Sequence, residues 1–98
     1  MGYSRRTTDW GNDLYIVWIP EVGVVKIGRS CDCQRRFKHI QQSCPFLDME
    51  LVAIFPKSGW AEVSCHKVLN NVCCGSEWFR ISWQGASQIV TSILSNLG

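Results

Sequence analysis

LYIVWIPEVGVVKIGRSCDCQRRF, residues 14–37, is the stretch whose reading decides the fold of this chain. Residues 14–19 are aliphatic and aromatic, the composition that suits a pleated and buried surface. Pro20, Glu21, Val22 and Gly23 interrupt that run, and residues 24–27 resume it as far as Gly28. Two such runs joined by a short segment with Pro and Gly predict an antiparallel hairpin. A turn centred on Glu21 and Val22 brings Tyr15 and Lys26 close to a facing pair, with the register left open. Past Gly28, Ser30 or Asp32 is placed to cap a helix that runs to about Gln42. Cys33, Phe37, Ile40 and Cys44 recur at spacings of four, three and four, an apolar stripe for the sheet. Arg36 sits about 100° from Phe37 and leans over the sheet from the flank of that stripe. Arg35 and His39 lie one turn apart on a different face, toward solvent or nucleic acid. Cys44-Pro45 ends the helix, because proline disfavours the helical region for the residue before it.

Working outward, residues 49–55 read as a third strand, apolar on both faces near its end, as in the middle of a covered sheet. A second helix is expected over 60–71. Ala61, Cys65, Val68, Leu69 and Val72 mark its buried stripe, with Glu62 and His66 one turn apart on the neighbouring face. Residues 73–76 read as a turn. Residues 77–82 read as a short strand whose Trp78 and Phe79 close the core. A last amphipathic helix covers 85–96, with Ala86, Ile89, Val90, Ile93 and Leu94 inward. The expected architecture is a small α/β domain of α+β type over residues 14–98. Its mainly antiparallel sheet has three or four strands, flanked by about three helices. A polar arm over residues 1–13 precedes it, with Arg5 and Arg6 available to phosphates and Trp10 set against the domain edge.

Ninety-eight residues suit one domain with a modest core. No apolar run approaches the roughly 20 residues of a membrane span, so no membrane partner is expected. The first ten residues are polar and lack a signal-peptide pattern. The expected setting is therefore the reducing cytoplasm of a host cell, or the nucleus of a eukaryotic host, and not the secreted space. The net charge of +2 is mild, but Lys26, Arg29, Arg35, Arg36 and Lys38 fall within thirteen positions, with Asp32 the only acid among them. This is a local positive patch on the hairpin and first helix. Without a signal peptide the six cysteines do not read as a secreted disulfide framework, and their C-x-C, C-H and C-C spacings are poor matches to paired zinc knuckles. Most of them read as small buried hydrophobes.

The chemistry that these residues can carry is phosphodiester hydrolysis. That reaction needs a base for water, a counter-charge for the transition state and help for the leaving oxygen. Glu62 is a carboxylate able to hold one hard divalent cation, with waters filling its remaining positions. Arg36 offers a planar bidentate fork to the scissile phosphate. Tyr15 is placed to orient or deprotonate the attacking water. A phenol with a pKa near 10 needs a nearby cation for that task, and Lys26 across the hairpin is the expected one. His66, one turn after Glu62, completes the candidate catalytic set, although a histidine on a helix flank is commonly structural. Arg29, Arg35, Lys38 and His39 are the candidate nucleic-acid contacts.

At these residues the sequence resembles the GIY-YIG nuclease superfamily. Leu14-Tyr15-Ile16 stands at its first triplet and Lys26-Ile27-Gly28 at its second, and Arg36-Phe37 follows eight residues past that glycine. The similarity is strongest to the phage-type branch, a DNA-binding domain named from an open reading frame of phage T5. That branch has KIG at the second triplet, a Glu-x-x-x-His helix and a Glu-Trp-Phe segment, matched here by Glu62 to His66 and by Glu77-Trp78-Phe79. The resemblance covers residues 14–82 and departs from the wider superfamily in Leu14 for glycine and Lys26 for tyrosine. It implies that Tyr15 is the general base, that Arg36 binds phosphate and that Glu62 alone holds the metal. The expectation is a DNA endonuclease of viral or mobile-element origin, using one Mg2+ or Mn2+ ion. Its specificity would come from a homodimer, from a separate partner or from DNA structure. The alternatives are a non-catalytic DNA-binding module of the same fold, with Arg29, Arg35, Arg36 and Lys38 on phosphates, and a zinc- or redox-responsive cysteine protein.

Overall fold

Asp13 opens the first strand of the sheet in the structure, a computed structural model that describes residues 12–97. Arg5, Arg6 and Trp10 of the expected arm, and Gly98, lie outside the described residues. Strands β1 (Asp13–Ile19) and β2 (Val24–Ser30) form the central hairpin. Its turn closes with the Gly23 amide donating to Ile19 O at 2.9 Å, and Gly23 has a φ of 69°, a conformation open to glycine. The turn centres between Glu21 and Val22 as expected. That register sets Tyr15 opposite Gly28 and Lys26 opposite Val17. Tyr15 and Lys26 are therefore diagonal neighbours on one face, two residues away from a facing pair.

The sheet has five strands, one more than the upper expectation, all antiparallel in the order β3-β1-β2-β5-β4. β3 is Glu50–Phe55, β4 is Cys73–Gly75 and β5 is Trp78–Phe79. The additional strand is β4, which reads as a turn because its three residues are all exposed and show no alternation. β3 lies at the sheet edge and not in the middle. Its apolar residues on both faces reflect layers that cover both sides of the sheet, and Ile54, 38% exposed, marks the edge.

Alternation along β1 sorts the core into two layers. Tyr15, Val17 and Ile19 face Cys33, Phe37 and Ile40 of helix α1 (Cys33–Ser43), together with Leu47 and Met49. Leu14 and Ile16, with Val25, Ile27 and Phe79, face the opposite layer. That layer is built from Ala61, Cys65 and Leu69 around helix α2 (Glu62–Val68), and from Ala86 and Val90 of helix α3 (Trp83–Leu97).

Asp32 caps α1, its Oδ1 accepting from the Arg35 amide at 3.1 Å. Asp32→Ala is expected to cost about 1 kcal/mol, read as a lower urea midpoint with an unchanged slope. An unchanged midpoint would mean that the cap contributes nothing. Cys44 ends the helix as anticipated, but at a φ of −133° it has left the helical path and is exposed, so it does not extend the apolar stripe.

The second helix is shorter than its pattern suggests: 3-10 turns at Gly59–Ala61 and Asn70–Val72 flank α2. The buried stripe follows Ala61, Cys65 and Leu69 at intervals of four, and Val68, about 100° to the side, is 54% exposed. Only Cys33 and Cys65 are buried. Cys31, Cys44, Cys73 and Cys74 are exposed, against the reading of most cysteines as core, and all six are free thiols. α3 starts earlier than expected because Ser82 caps it, its Oγ accepting from the Gly85 amide at 3.1 Å. Among the described residues, no helix is long and apolar enough to cross a membrane.

Candidate active site

β5 is two residues long, so its ladder with β2 stops at Lys26. One residue on, the Ile27 amide donates to Glu77 O at 3.2 Å, and Ile27 O lies 2.9 Å from His66 Nε2. From Gly28 onward the edge of β2 pairs with no further strand among the described residues. The candidate groups collect on either side of this uncovered edge.

On the α1 side, the Tyr15 ring lies directly over Gly28. A Cβ at position 28 would stand 2.5 Å from Tyr15 Oη and 2.6 Å from Cζ, so glycine is required beneath the phenol. Tyr15 is buried, and burial raises its pKa above the ordinary phenol value. The Arg36 side chain opposes the rise, through its hydrogen-bonding influence and its charge, while the charge of Glu77 adds to it. Arg36 itself is exposed, reaching over the sheet from the first turns of α1 as its helical position implied. The cation that acts on the phenol is therefore Arg36. Lys26, on the same face, is buried, ion-paired with Glu77, and set 5.7 Å from the centre of the Trp78 ring.

On the other side, Glu62 opens α2 with its side chain only 13% exposed, and Arg29 Nε lies 3.4 Å from its Oε1. Burial pushes the Glu62 carboxyl up, and the charge of Glu77 pushes it further. His66, Arg29 and Lys26 pull it back without cancelling the rise. His66 is one turn along the helix, packed on Phe79 at a ring separation of 5.2 Å. Since a carbonyl only accepts, Nε2 is the protonated nitrogen in its bond to Ile27 O. That bond fixes α2 against the bare end of β2, and so fixes Glu62.

Glu77 is the residue that sequence reasoning left out of the site. It stands between the two sides: it pairs with Lys26, and its charge is felt by both Tyr15 and Glu62. The Glu-Trp-Phe segment carried the signal, and the partner of its carboxylate is a lysine 51 positions away. The structure thus brings Tyr15, Lys26, Arg36, Glu62, His66 and Arg29 around one strand edge. Arg35, Lys38 and His39 lie apart from it, exposed along α1. No three His, Cys, Asp or Glu side chains gather closely enough to share a metal ion among the described residues.

No curated protein and no solved structure matches the chain. A family model, the T5orf172 domain, matches residues 13–94, which takes in both triplets, Arg36, the Glu62 helix and the Glu77 segment. The chain belongs to the T5orf172 domain family, the phage-type branch of the GIY-YIG-like nuclease and DNA-binding domains.

Proposed function

We propose that this protein is a DNA endonuclease that hydrolyses phosphodiester bonds with the help of one Mg2+ or Mn2+ ion. The observation that carries the reading is the Tyr15 phenol packed over Gly28 under the influence of Arg36, on one side of an open strand edge, with the under-compensated carboxylate of Glu62 on the other. A hard divalent cation suits this donor set. Glu62 is raised by burial and by Glu77, so its charge lacks full compensation, and a single carboxylate with waters is an ordinary seat for such an ion. When bound there, the ion supplies charge stabilisation for the phosphate and the leaving oxygen.

The chain's own groups divide the remaining work. Arg36 is the phosphate fork. An incoming phosphate competes for its guanidinium and draws it off the phenol, which uncovers Tyr15 toward the attacking water. Tyr15 keeps its proton at neutral pH, so its part is to orient that water, the phenol oxygen accepting a hydrogen bond from it. Lys26 and Glu77 hold one another beside the phenol, fixing the charge pattern between Tyr15 and Glu62.

The test is supercoiled plasmid incubated with wild-type and Tyr15→Phe protein, in Mg2+, in Mn2+ and in chelator. Metal-dependent nicking is expected, slower by at least about 100-fold in Tyr15→Phe. A salt-sensitive mobility shift without nicking would instead identify a non-catalytic DNA-binding module acting through the basic face of α1. Neither cutting nor binding would overturn both readings.

A further inference from the structure

Phe46 is 95% exposed, far beyond any other large apolar side chain among the described residues. It is not at the tip of a loose loop. Residues 44–47 form a turn closed by the Leu47 amide donating to Cys44 O at 3.2 Å, and the Cys44 amide in turn donates to Gln41 O at 3.1 Å. Pro45 fixes the first central position of that turn and Phe46 occupies the second. Immediately afterwards Leu47 packs into the core layer beneath α1, and Met49 is buried in it. The chain is therefore pinned on both sides of Phe46, and the ring is held out into solvent. A ring held out at a pinned turn can meet a flat partner without first losing conformational freedom.

The surface beside it narrows the choice of partner. Lys38, Gln41, Gln42 and Pro45 line an open groove of about 290 Å3 leading along α1 to the turn. Arg35, Lys38 and Gln42 follow one another along one face of the helix, and α1 contains no acidic residue. A polyanion with flat aromatic groups satisfies all of these features, the cations through its phosphates and Phe46 through a base. From Arg36 to the end of α1 is seven residues, or about 10 Å of helix, which corresponds to about three nucleotides of one strand.

Resting on the DNA reading above, we infer that Phe46 is a stacking platform for an unpaired base about three to four nucleotides from the phosphate held by Arg36. The preferred substrate is then DNA with a bulge, gap or frayed end, and not continuous duplex. A paired base offers its ring faces only to its neighbours in the stack, so Phe46 gains little from intact duplex.

The experiment compares two fluorescent DNAs in chelator, so that nothing is cut: a fully paired duplex and the same duplex with a three-nucleotide bulge carrying 2-aminopurine. Wild-type protein is expected to bind the bulged DNA more tightly and to quench the 2-aminopurine by stacking. Phe46→Ala is expected to lose about 5- to 150-fold on the bulged DNA and to leave 2-aminopurine bright, with the paired duplex and the salt dependence unchanged. Phe46→Trp should restore both signals. Lys38→Ala should weaken both DNAs alike and lower the salt slope by about one phosphate. Because Phe46 touches almost nothing, these variants keep the wild-type melting temperature. Equal binding of the bulged DNA by wild type and Phe46→Ala, or quenching that survives the substitution, overturns this inference and leaves the DNA reading standing. Failure of wild type to bind either DNA overturns both.

Discussion

Gly28→Ala is expected to lower stability by about 1–3 kcal/mol and cutting by about 100-fold, from the addition of a single methyl group. The new Cβ would lie 2.5 Å from the Tyr15 hydroxyl, 2.6 Å from Cζ and 3.0 Å from Cε2. No real side chain tolerates such contacts. The far end of a flexible chain would swing away, but here the obstacle is a rigid ring that is 1% exposed and shares its layer with Val17 and Cys33. Either the ring tilts, and its hydroxyl leaves Arg36, or the two central strands separate. Both outcomes damage the site and the core together. Thermal melting and plasmid nicking of the single variant measure the two costs. The cause is isolated by repeating the substitution in a Tyr15→Val background, where the stability cost of Gly28→Ala should largely vanish. A cost that persists without the ring would mean that the strand itself, and not the phenol, demands glycine.

Glu62→Gln is expected to reduce cutting by roughly 1,000-fold or more while leaving the fold at least as stable at neutral pH. The amide keeps the shape of the side chain and an oxygen for Arg29, and removes only the charge. The stability effect follows from linkage. The Glu62 carboxyl is raised in the folded protein, chiefly by burial and then by Glu77, so folding favours its protonated form. Its contribution is fully present below the ordinary carboxylate pKa of about 4.3 and is lost as pH rises through the raised value. At neutral pH the ionised side chain therefore weighs against the fold. The glutamine variant should melt at or above wild type there, with the gap closing as the pH falls toward 4. Millimolar Mg2+ or Mn2+ should raise the melting temperature of wild type and leave Glu62→Gln unmoved, because only the carboxylate form gains a bound cation. A variant that cuts normally removes Glu62 from the metal site. One that melts well below wild type at neutral pH shows instead that the pairing with Arg29 outweighs the burial of charge.

These two positions also show how far the sequence could be read. The hairpin was legible because Pro20 to Gly23 divides two apolar runs, and the helix after it because Asp32 and Pro45 mark its ends. Arg36 was legible because helical geometry alone carries it over the sheet beside Phe37. The lateral order of strands was not. β3 has apolar residues on both faces, which a central strand and a two-sided edge share, and β4 consists of exposed residues with no alternation. The cation beside Tyr15 was assigned to Lys26, since adjacency across a hairpin can be counted along the chain. The pairing of Lys26 with Glu77 spans 51 positions and depends on β5 docking against β2, which no local pattern encodes. Val68 and Cys44 looked buried because each continues an apolar spacing. Each sits where its helix is ending, and the periodicity no longer governs direction there.

The four outward-facing thiols have a practical consequence for work at the bench. Cys31, Cys44, Cys73 and Cys74 are all within reach of another molecule, and none is tied up in a disulfide. In aerated buffer such a protein is expected to cross-link to itself through thiols on several sides, giving a ladder of covalent dimers and larger species on a non-reducing gel. Sizing or titration without a reductant would report that ageing as assembly, and would credit avidity to what is only a mixed population. A set of four serine replacements at these surface positions, with Cys33 and Cys65 left in the core, provides the stock on which native valency is counted.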